Sequence, residues 1–342
     1  MQDIWQSLKQ NKKPILLYGT GNGADKILSE LKNQNITVAG VFASDGFVRE
    51  RYYQGFKVMS LSEAEDKFSD FTVLFCFGSN RPEVICNIKN IASNHEILAP
   101  EVPVIEGEIF NLSFAKKHRD ELLLAYNLLA DDLSKKVFKE TVLFKLDGNI
   151  NRLFACETEE DEAFDGILKL EKGSSFLDLG AYNGDTVIDF IKRVGEFSHI
   201  TAVEPDKKSF KKLCANTENL PITKINAAVC DSVGFMPFSA KSSRGSVFGG
   251  KEQIPTLTID YLSQDTRFDY IKFDVEGKEL DAILGGSNTI KKDRPKMLIS
   301  AYHKSEDYFK IPLAVHRINP DYKIYMRHYP YVPAWDTNFY FV

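Results

Sequence analysis

Two stretches of the chain, residues 14–45 and 174–206, carry the same order of apolar and polar positions. Each begins with a short unbroken apolar run and passes through a glycine-rich turn into residues of helical spacing. Each ends in a second apolar run closed by an acid. An unbroken apolar run of strand length is the pattern of a parallel strand buried on both faces. A glycine-rich bend from such a strand into a helix opens a βαβ unit. Two openings this far apart predict two doubly wound α/β domains.

The first continues through strands expected at 73–78 and 96–98 and ends near residue 105. Residues 106–165 read as helical: the segment 115–129 is built of good helix formers and sets Leu122, Leu123, Tyr126 and Leu129 on one face. A flexible linker would be richer in Gly, Ser and Pro. The spacing therefore predicts three parts: a small α/β domain over 1–105, a helical connector over 106–165, and a larger α/β domain over 166–342. In the last, strands are expected at 175–179, 199–203, 223–227, 270–273, 296–300, 322–327 and 338–342. Helices are expected at 186–194, 207–216, 257–262, 279–285 and 305–317. The final two strands have only a loop between them, so they must pair antiparallel or lie apart. A mostly parallel sheet with an antiparallel edge hairpin is the expectation.

Composition narrows the function. The chain has 342 residues, 43% hydrophobic and 27% charged, with a net charge of −5. That is enough apolar material for two cores, and the mild acidity gives no global attraction to nucleic acid or anionic membrane. The five cysteines are odd in number and show no CxxC spacing, which argues against a disulfide framework or zinc site and fits a reducing cytoplasm. No stretch has the roughly 20 apolar residues of a membrane span, and the first residues lack the apolar core of a signal peptide.

The chemistry-bearing residues gather at the expected carboxyl ends of the second domain's strands, where open α/β sheets bind ligands. The run DLGAYNGDT contains Asp178, Gly180, Tyr182, Asn183, Gly184 and Thr186. Its glycines admit a ligand close to the backbone. Its acid would repel a pyrophosphate but favour a cationic sulfonium or ammonium group. At the end of the next strand Glu204, followed by Pro205 and Asp206, is placed to accept hydrogen bonds from ribose hydroxyls, a device that nicotinamide sites share. Ala227 and Ala228 leave room for an adenine ring. The run IKFDVEGKE packs Lys272, Asp274, Glu276 and Glu279 into one strand end, a cluster costly to bury unless paired or used. His303, after the fifth strand, overlooks the same crevice.

Over residues about 162–303 the chain resembles the FkbM family of methyltransferases. The resemblance is carried by FLDLGAYNGDT, VEPD, NAAV with Gly234, TLTIDYL, IKFDVEGKEL and ISAYH. It implies a Rossmann-like class I methyltransferase fold, S-adenosylmethionine as methyl donor, and O-methylation, often of sugars or secondary metabolites. By match to the motifs, Asp178, Gly180, Glu204 and Asp274 are cofactor-side positions. The acceptor is left as a small molecule or glycan, with homo-oligomerisation one open expectation. For the acceptor's proton His303 is the first candidate base and Asp274 the second. The pair Asp274 and Glu276 suits Mg²⁺, but two carboxylates are too few to assert a metal. The loop 241–251 and the aromatic stretch 325–335 are expected to shape the acceptor pocket.

The first domain's turn, GTGNGA with Asp45 about 20 residues beyond it, is compatible with a ribose-binding acid and keeps two alternatives open. One is an NAD(P)-dependent oxidoreductase acting on a nucleotide-sugar; the other is a non-catalytic nucleotide-binding protein.

Overall fold

The computed structural model describes residues 2–44, 48, 51–105, 107–239, 247–248 and 252–342. Asp45 and all of the loop 241–251 except Val247 and Phe248 lie outside them, so the expectations placed there stand apart from the description that follows.

The chain opens with α1 (Ile4–Gln10), β1 (Ile15–Tyr18), α2 (Asn22–Asn33), β2 (Gly40–Phe42), β3 (Tyr52–Tyr53), β4 (Phe56–Met59), α3 (Leu61–Lys67), β5 (Thr72–Phe75), α4 (Pro82–Asn94) and β6 (Glu96–Leu98). The strands form a sheet in the order β3-β4-β2-β1-β5-β6, parallel except for the β3–β4 ribbon. Leu16 and Leu17 in the central strand are wholly buried, as the unbroken apolar run requires. Start signals are local. Ser60 and Glu63 make a capping box at α3, and Pro82 occupies the first turn of α4.

Helices α5 (Leu112–Lys117), α6 (Arg119–Asn127), α7 (Asp132–Asp147) and α8 (Asn151–Phe154) and a π-helical turn (Glu162–Leu168) follow. Phe110, Phe114, Val137 and Phe138 enter one apolar core with Leu177, Phe273 and Ile299 of the following sheet. The helical stretch is thus built into the second unit. Arg327 fixes it from the other side, pairing with Asp131 at 2.8 Å and Glu162 at 2.6 Å.

The larger sheet uses β7 (Phe176–Leu179), β8 (Ile200–Val203), β9 (Thr223–Ile225), β14 (Tyr270–Phe273), β15 (Lys296–Ser300), β16 (Ile324–His328) and β17 (Thr337–Phe341), in the order β16-β17-β15-β14-β7-β8-β9. The first five run parallel. β17 pairs antiparallel with both β15 and β16, which is the expected edge hairpin. Helices α9 (Asp185–Val194), α10 (Lys207–Asn216), α11 (Ile259–Leu262), α12 (Glu279–Gly285), α13 (Ser287–Asp293) and α14 (Asp307–Ile318) connect them. One feature is absent from the expected pattern. The strands β10 (Ala228–Val229), β11 (Gly234–Ser239), β12 (Val247–Phe248) and β13 (Glu252–Leu257) make a separate small sheet. In β13 exposed and buried residues alternate, the signature of a strand wet on one face.

The β16–β17 hairpin loop reaches back into the first domain. Ser79 and Val332 exchange backbone hydrogen bonds, and Val332 and Ala334 are buried in the core that holds Phe75 and Ile88. Gly78 is small for this reason: a Cβ there would stand 2.3 Å from the Trp335 ring.

Candidate active site

The strand ends of β7, β8, β14 and β15 open on a cleft of about 730 Å³, within the range of about 300–1,000 Å³ common for small-molecule sites. Gly180 follows β7 with φ +85°, and a Cβ on it would sit 1.9 Å from the Asp274 carbonyl oxygen. Only glycine allows β7 and β14 to approach so closely while leaving backbone bare to the cleft. Gly184 then begins α9, itself at φ +86°.

Of the residues expected on the cofactor side, Gly180, Tyr182, Thr186, Glu204, Pro205, Ala227, Ala228 and Asp274 line the cleft. Asp178, Asn183 and Gly184 do not. Asp178 is wholly buried; it accepts a hydrogen bond from Thr186 Oγ1, and Lys272 Nζ lies 3.9 Å away. Burial raises its pKa, with Lys272 and Thr186 opposing the rise. Its place is therefore beneath the cleft, where it positions Thr186 and Lys272. Asn183 is spent on the turn: its side chain accepts from Asp185 N, and its carbonyl from Asn216.

Glu204 is the best-defined anchor. Tyr182 N donates to Oε2 and Asp206 N to Oε1, both at 2.8 Å. Each oxygen keeps a second lone pair for a ligand. Burial raises this carboxyl to about 7, with the two backbone donors opposing the rise.

The same cleft holds the cluster of ionisable groups that sequence placed at the end of β14. Asp274 sits between Lys272 Nζ at 3.4 Å and the Tyr302 hydroxyl, which donates at 3.2 Å. Burial alone would raise its carboxyl, but Lys272 and His303 hold it below the ordinary range. Glu276 follows at φ +51°, a conformation that disfavours side chains other than glycine. Glu279 Oε1 holds that turn by accepting from Val275 N at 3.0 Å and Gly277 N at 3.3 Å.

His303 is 1% exposed and lines the cleft. Its Nδ1 lies 2.9 Å from Glu279 Oε1, off the line of a hydrogen bond. Its Nε2 lies 3.6 Å from both Asp274 and Glu276. Burial would depress the ring, but Glu279, Asp274 and Glu276 outweigh it and raise it to about 10. A ring already protonated has no lone pair to receive a proton, so the expectation of His303 as resting general base meets an electrostatic obstacle. Asp274, held anionic, lines the same wall of the cleft.

The cleft also has an aromatic wall of Tyr302, Tyr329, Tyr331 and Trp335, with Val104 from the far side and Asp336. Tyr331 and Trp335 belong to the aromatic stretch singled out in the sequence. Val104 and Glu160 carried no such signal, because only the tertiary fold brings them near the strand ends.

In the first domain's glycine-rich turn, Gly21 faces open space, whereas Gly19 and Gly23 are packed against protein. A Cβ on Gly19 would meet the Phe77 ring at 2.6 Å, and one on Gly23 the Cys76 carbonyl at 2.3 Å. Both glycines make room for protein, and none of residues 19–24 lines the cleft. Among the described residues no helix is long and apolar enough to cross a membrane.

Comparison with known proteins agrees with this geometry. No curated protein matches the chain. Among solved structures it is similar to the methyltransferase FkbM of Methylobacillus flagellatus KT, at 20% identity and a TM-score of 0.75. That match covers 99% of this chain and 93% of the other. Weaker likenesses, which carry no argument, are to a precorrin-6y C5,15-methyltransferase from Geobacter metallireducens GS-15 (11% identity, 51% of this chain and 81% of that one, TM-score 0.34) and to Aeropyrum pernix fibrillarin with natively bound S-adenosyl-L-methionine (14%, 50% and 67%, TM-score 0.32). The sequence profile of the methyltransferase FkbM domain matches residues 178–329, from the buried acid of β7 to the end of the β16 strand. Residues 178–329 of the chain thus carry a methyltransferase FkbM domain.

Proposed function

We propose that this protein transfers a methyl group from S-adenosylmethionine to a hydroxyl oxygen of a small-molecule or glycan acceptor, such as a sugar, a polysaccharide precursor or a secondary metabolite. The observation that carries the reading is Glu204: a carboxylate clamped by two backbone N–H groups, with lone pairs left for a ribose diol beside the bare backbone of Gly180. Ala227 and Ala228 border the same end of the cleft and suit a flat base.

When bound, the donor supplies a methyl carbon already activated on a sulfonium. The chain then has to align the acceptor and exclude water. Alignment of this kind contributes up to about 7–11 kcal/mol to lowering a barrier. Asp274, the anionic group on that wall, would receive the proton that the acceptor hydroxyl gives up. Tyr302 holds Asp274 in place through its hydroxyl. The rings of Tyr331 and Trp335, seated against Gly78, offer apolar faces for a sugar. In this reading the first domain contributes acceptor recognition rather than a second nucleotide site.

The test is calorimetric titration of the purified chain with S-adenosylhomocysteine and, separately, with NAD. Saturable binding of the first at one per chain and none of the second is the expected result. NAD binding with no response to S-adenosylhomocysteine would overturn the reading in favour of an oxidoreductase.

A further inference from the structure

The cleft continues past Asp274 along one face of the large sheet. Tyr270 and Lys272 of β14, Leu298 and Ser300 of β15 and Asn338 of β17 line it. The residues between them, Ile271, Phe273, Ile299 and Phe339, enter the core on the opposite face, as strand alternation requires. Ser300 and Asn338 are register partners, and the pairing of Phe273 with Ile299 brings Ser300 beside Asp274. Both polar side chains are nearly sealed, Ser300 at 2% exposed and Asn338 at 3%. Yet among the described residues the Ser300 hydroxyl has no hydrogen-bond partner, and Asn338 uses only its Nδ2, donating to Asp336 Oδ1 at 3.1 Å. Buried polar groups are seldom left so incomplete. Asp336 lines the cleft next to them, its carbonyl accepting from Tyr329 N at 3.1 Å. Burial raises its carboxyl, with the Asn338 amide opposing the rise. Among the described residues no cation lies within ion-pair distance of it, and Lys272 on the same face is already set between Asp178 and Asp274.

We propose that Ser300, Asn338 and Asp336 are the recognition site for the acceptor and hold two neighbouring hydroxyl groups of an uncharged ring. A hydroxyl both donates and accepts, so a pair of them complements this set. The Asp336 carboxylate and the Asn338 Oδ1 accept, and the Ser300 hydroxyl does either. A phosphate or carboxylate in the same place would meet Asp336 and Asp274, with Lys272 already paired. Tyr331 and Trp335, their ring centroids 5.8 Å apart, border the same part of the cleft. They offer apolar faces to the C–H side of the ring. Because Ser300 stands beside Asp274, a hydroxyl seated on it lies next to the group proposed to receive its proton. That role rests on the methyl-transfer reading above; binding of the diol itself does not.

The experiment uses the full chain and ligand-observed saturation-transfer NMR, with and without saturating S-adenosylhomocysteine. The probes are the methyl pyranosides of glucose, galactose, mannose and rhamnose, with methyl glucuronide and methyl galacturonide as charged counterparts. The expected result is saturation transfer to at least one neutral pyranoside and weaker transfer, or none, to the uronides. In titrations of the best neutral probe, Ser300→Ala should weaken binding about 5-fold, the loss of one hydrogen bond to an uncharged partner. Asp336→Asn should weaken it by about 10-fold or more, since its bonds are charge-assisted, and should narrow the discrimination against the uronides. A role confined to folding would not change that discrimination. Ser300→Ala removes a single oxygen and should keep the melting temperature and S-adenosylhomocysteine affinity of the wild type, so it decides the case if Asp336→Asn does not fold. Absence of transfer to every neutral pyranoside, stronger transfer to a uronide, or affinity unchanged in Ser300→Ala overturns the proposal. S-adenosylhomocysteine binding without any pyranoside signal would leave the methyl-transfer reading intact and remove this site. Pyranoside binding in a chain that ignores S-adenosylhomocysteine would do the reverse.

Discussion

Lys272 is the cation on which the strand ends balance, and replacing it with methionine tests that directly. Its ammonium lies 3.4 Å from Asp274 and 3.9 Å from Asp178. The Asp178 side chain is wholly shielded from solvent, while that of Lys272 is 14% exposed and that of Asp274 31%. At an effective dielectric constant of about 20, unit charges about 4 Å apart attract by about 4 kcal/mol. Most of that offsets desolvation, and removing one member of a buried pair leaves a net loss of about 3–5 kcal/mol. Asp274 can turn to water, so the loss falls mainly on Asp178 and lies near the lower figure, about 3 kcal/mol. For a domain of this size that corresponds to a melting point lower by roughly 6–12 °C. The assay is thermal unfolding of wild type, Lys272→Met, Asp178→Asn and the double variant. If the pair is coupled as the distances imply, the double variant should recover about 2 kcal/mol relative to the sum of the single changes. A drop below about 2 °C in Lys272→Met, or strict additivity in the double variant, would show that Asp178 is stabilised by something other than this lysine.

Other consequences are measurable in the same way. Glu204 holds a proton in the native state up to about pH 7, whereas the unfolded chain releases it near the ordinary carboxylate pKa of about 4.3. The contribution of Glu204 to the stability of the unliganded protein should therefore be full below that ordinary value and fall by up to about 3 kcal/mol as pH rises to about 7. Glu204→Gln should flatten that slope in melting curves taken at pH 5 and 7.5 and abolish S-adenosylhomocysteine binding in calorimetry. Gly180→Ala places a methyl group 1.9 Å from the Asp274 carbonyl in a left-handed backbone, so it should reduce donor affinity more than 100-fold or prevent folding, as read by calorimetry and circular dichroism. Gly78→Val pushes on the Trp335 ring from the first domain. It should lower methyl transfer to an acceptor about 10-fold while leaving S-adenosylhomocysteine affinity within about 2-fold of wild type.

How much of this was legible in the sequence depends on the range of the interaction that decides each feature. Strands such as β7 and β14 are covered on both sides, so their runs FLDL and YIKF are apolar but for Asp178 and Lys272 and read directly as buried strands. Glu204 was legible as well, since a strand-end acid is set by local geometry. Asp178 shows where local reading stops. Its place in the motif suggested contact with a cationic ligand, yet whether it faces the cleft or the floor depends on Lys272, 94 residues away in sequence and adjacent only because β14 pairs with β7 in register Lys272↔Asp178. The same holds for His303. A histidine at a strand end reads as a base until the three carboxylates around it are counted, and Glu279 reaches it only because α12 and the β15 end are neighbours in space. The aromatic stretch near Trp335 was visible as composition, but its purpose required knowing that the hairpin loop enters the first domain's core at Val332. These residues share one property: each changes its chemical meaning through a partner distant in the chain. The site is assembled by register and domain packing, and perturbing those contacts at Gly78, Gly180 or Lys272 should affect activity as surely as removing a group that touches the ligand.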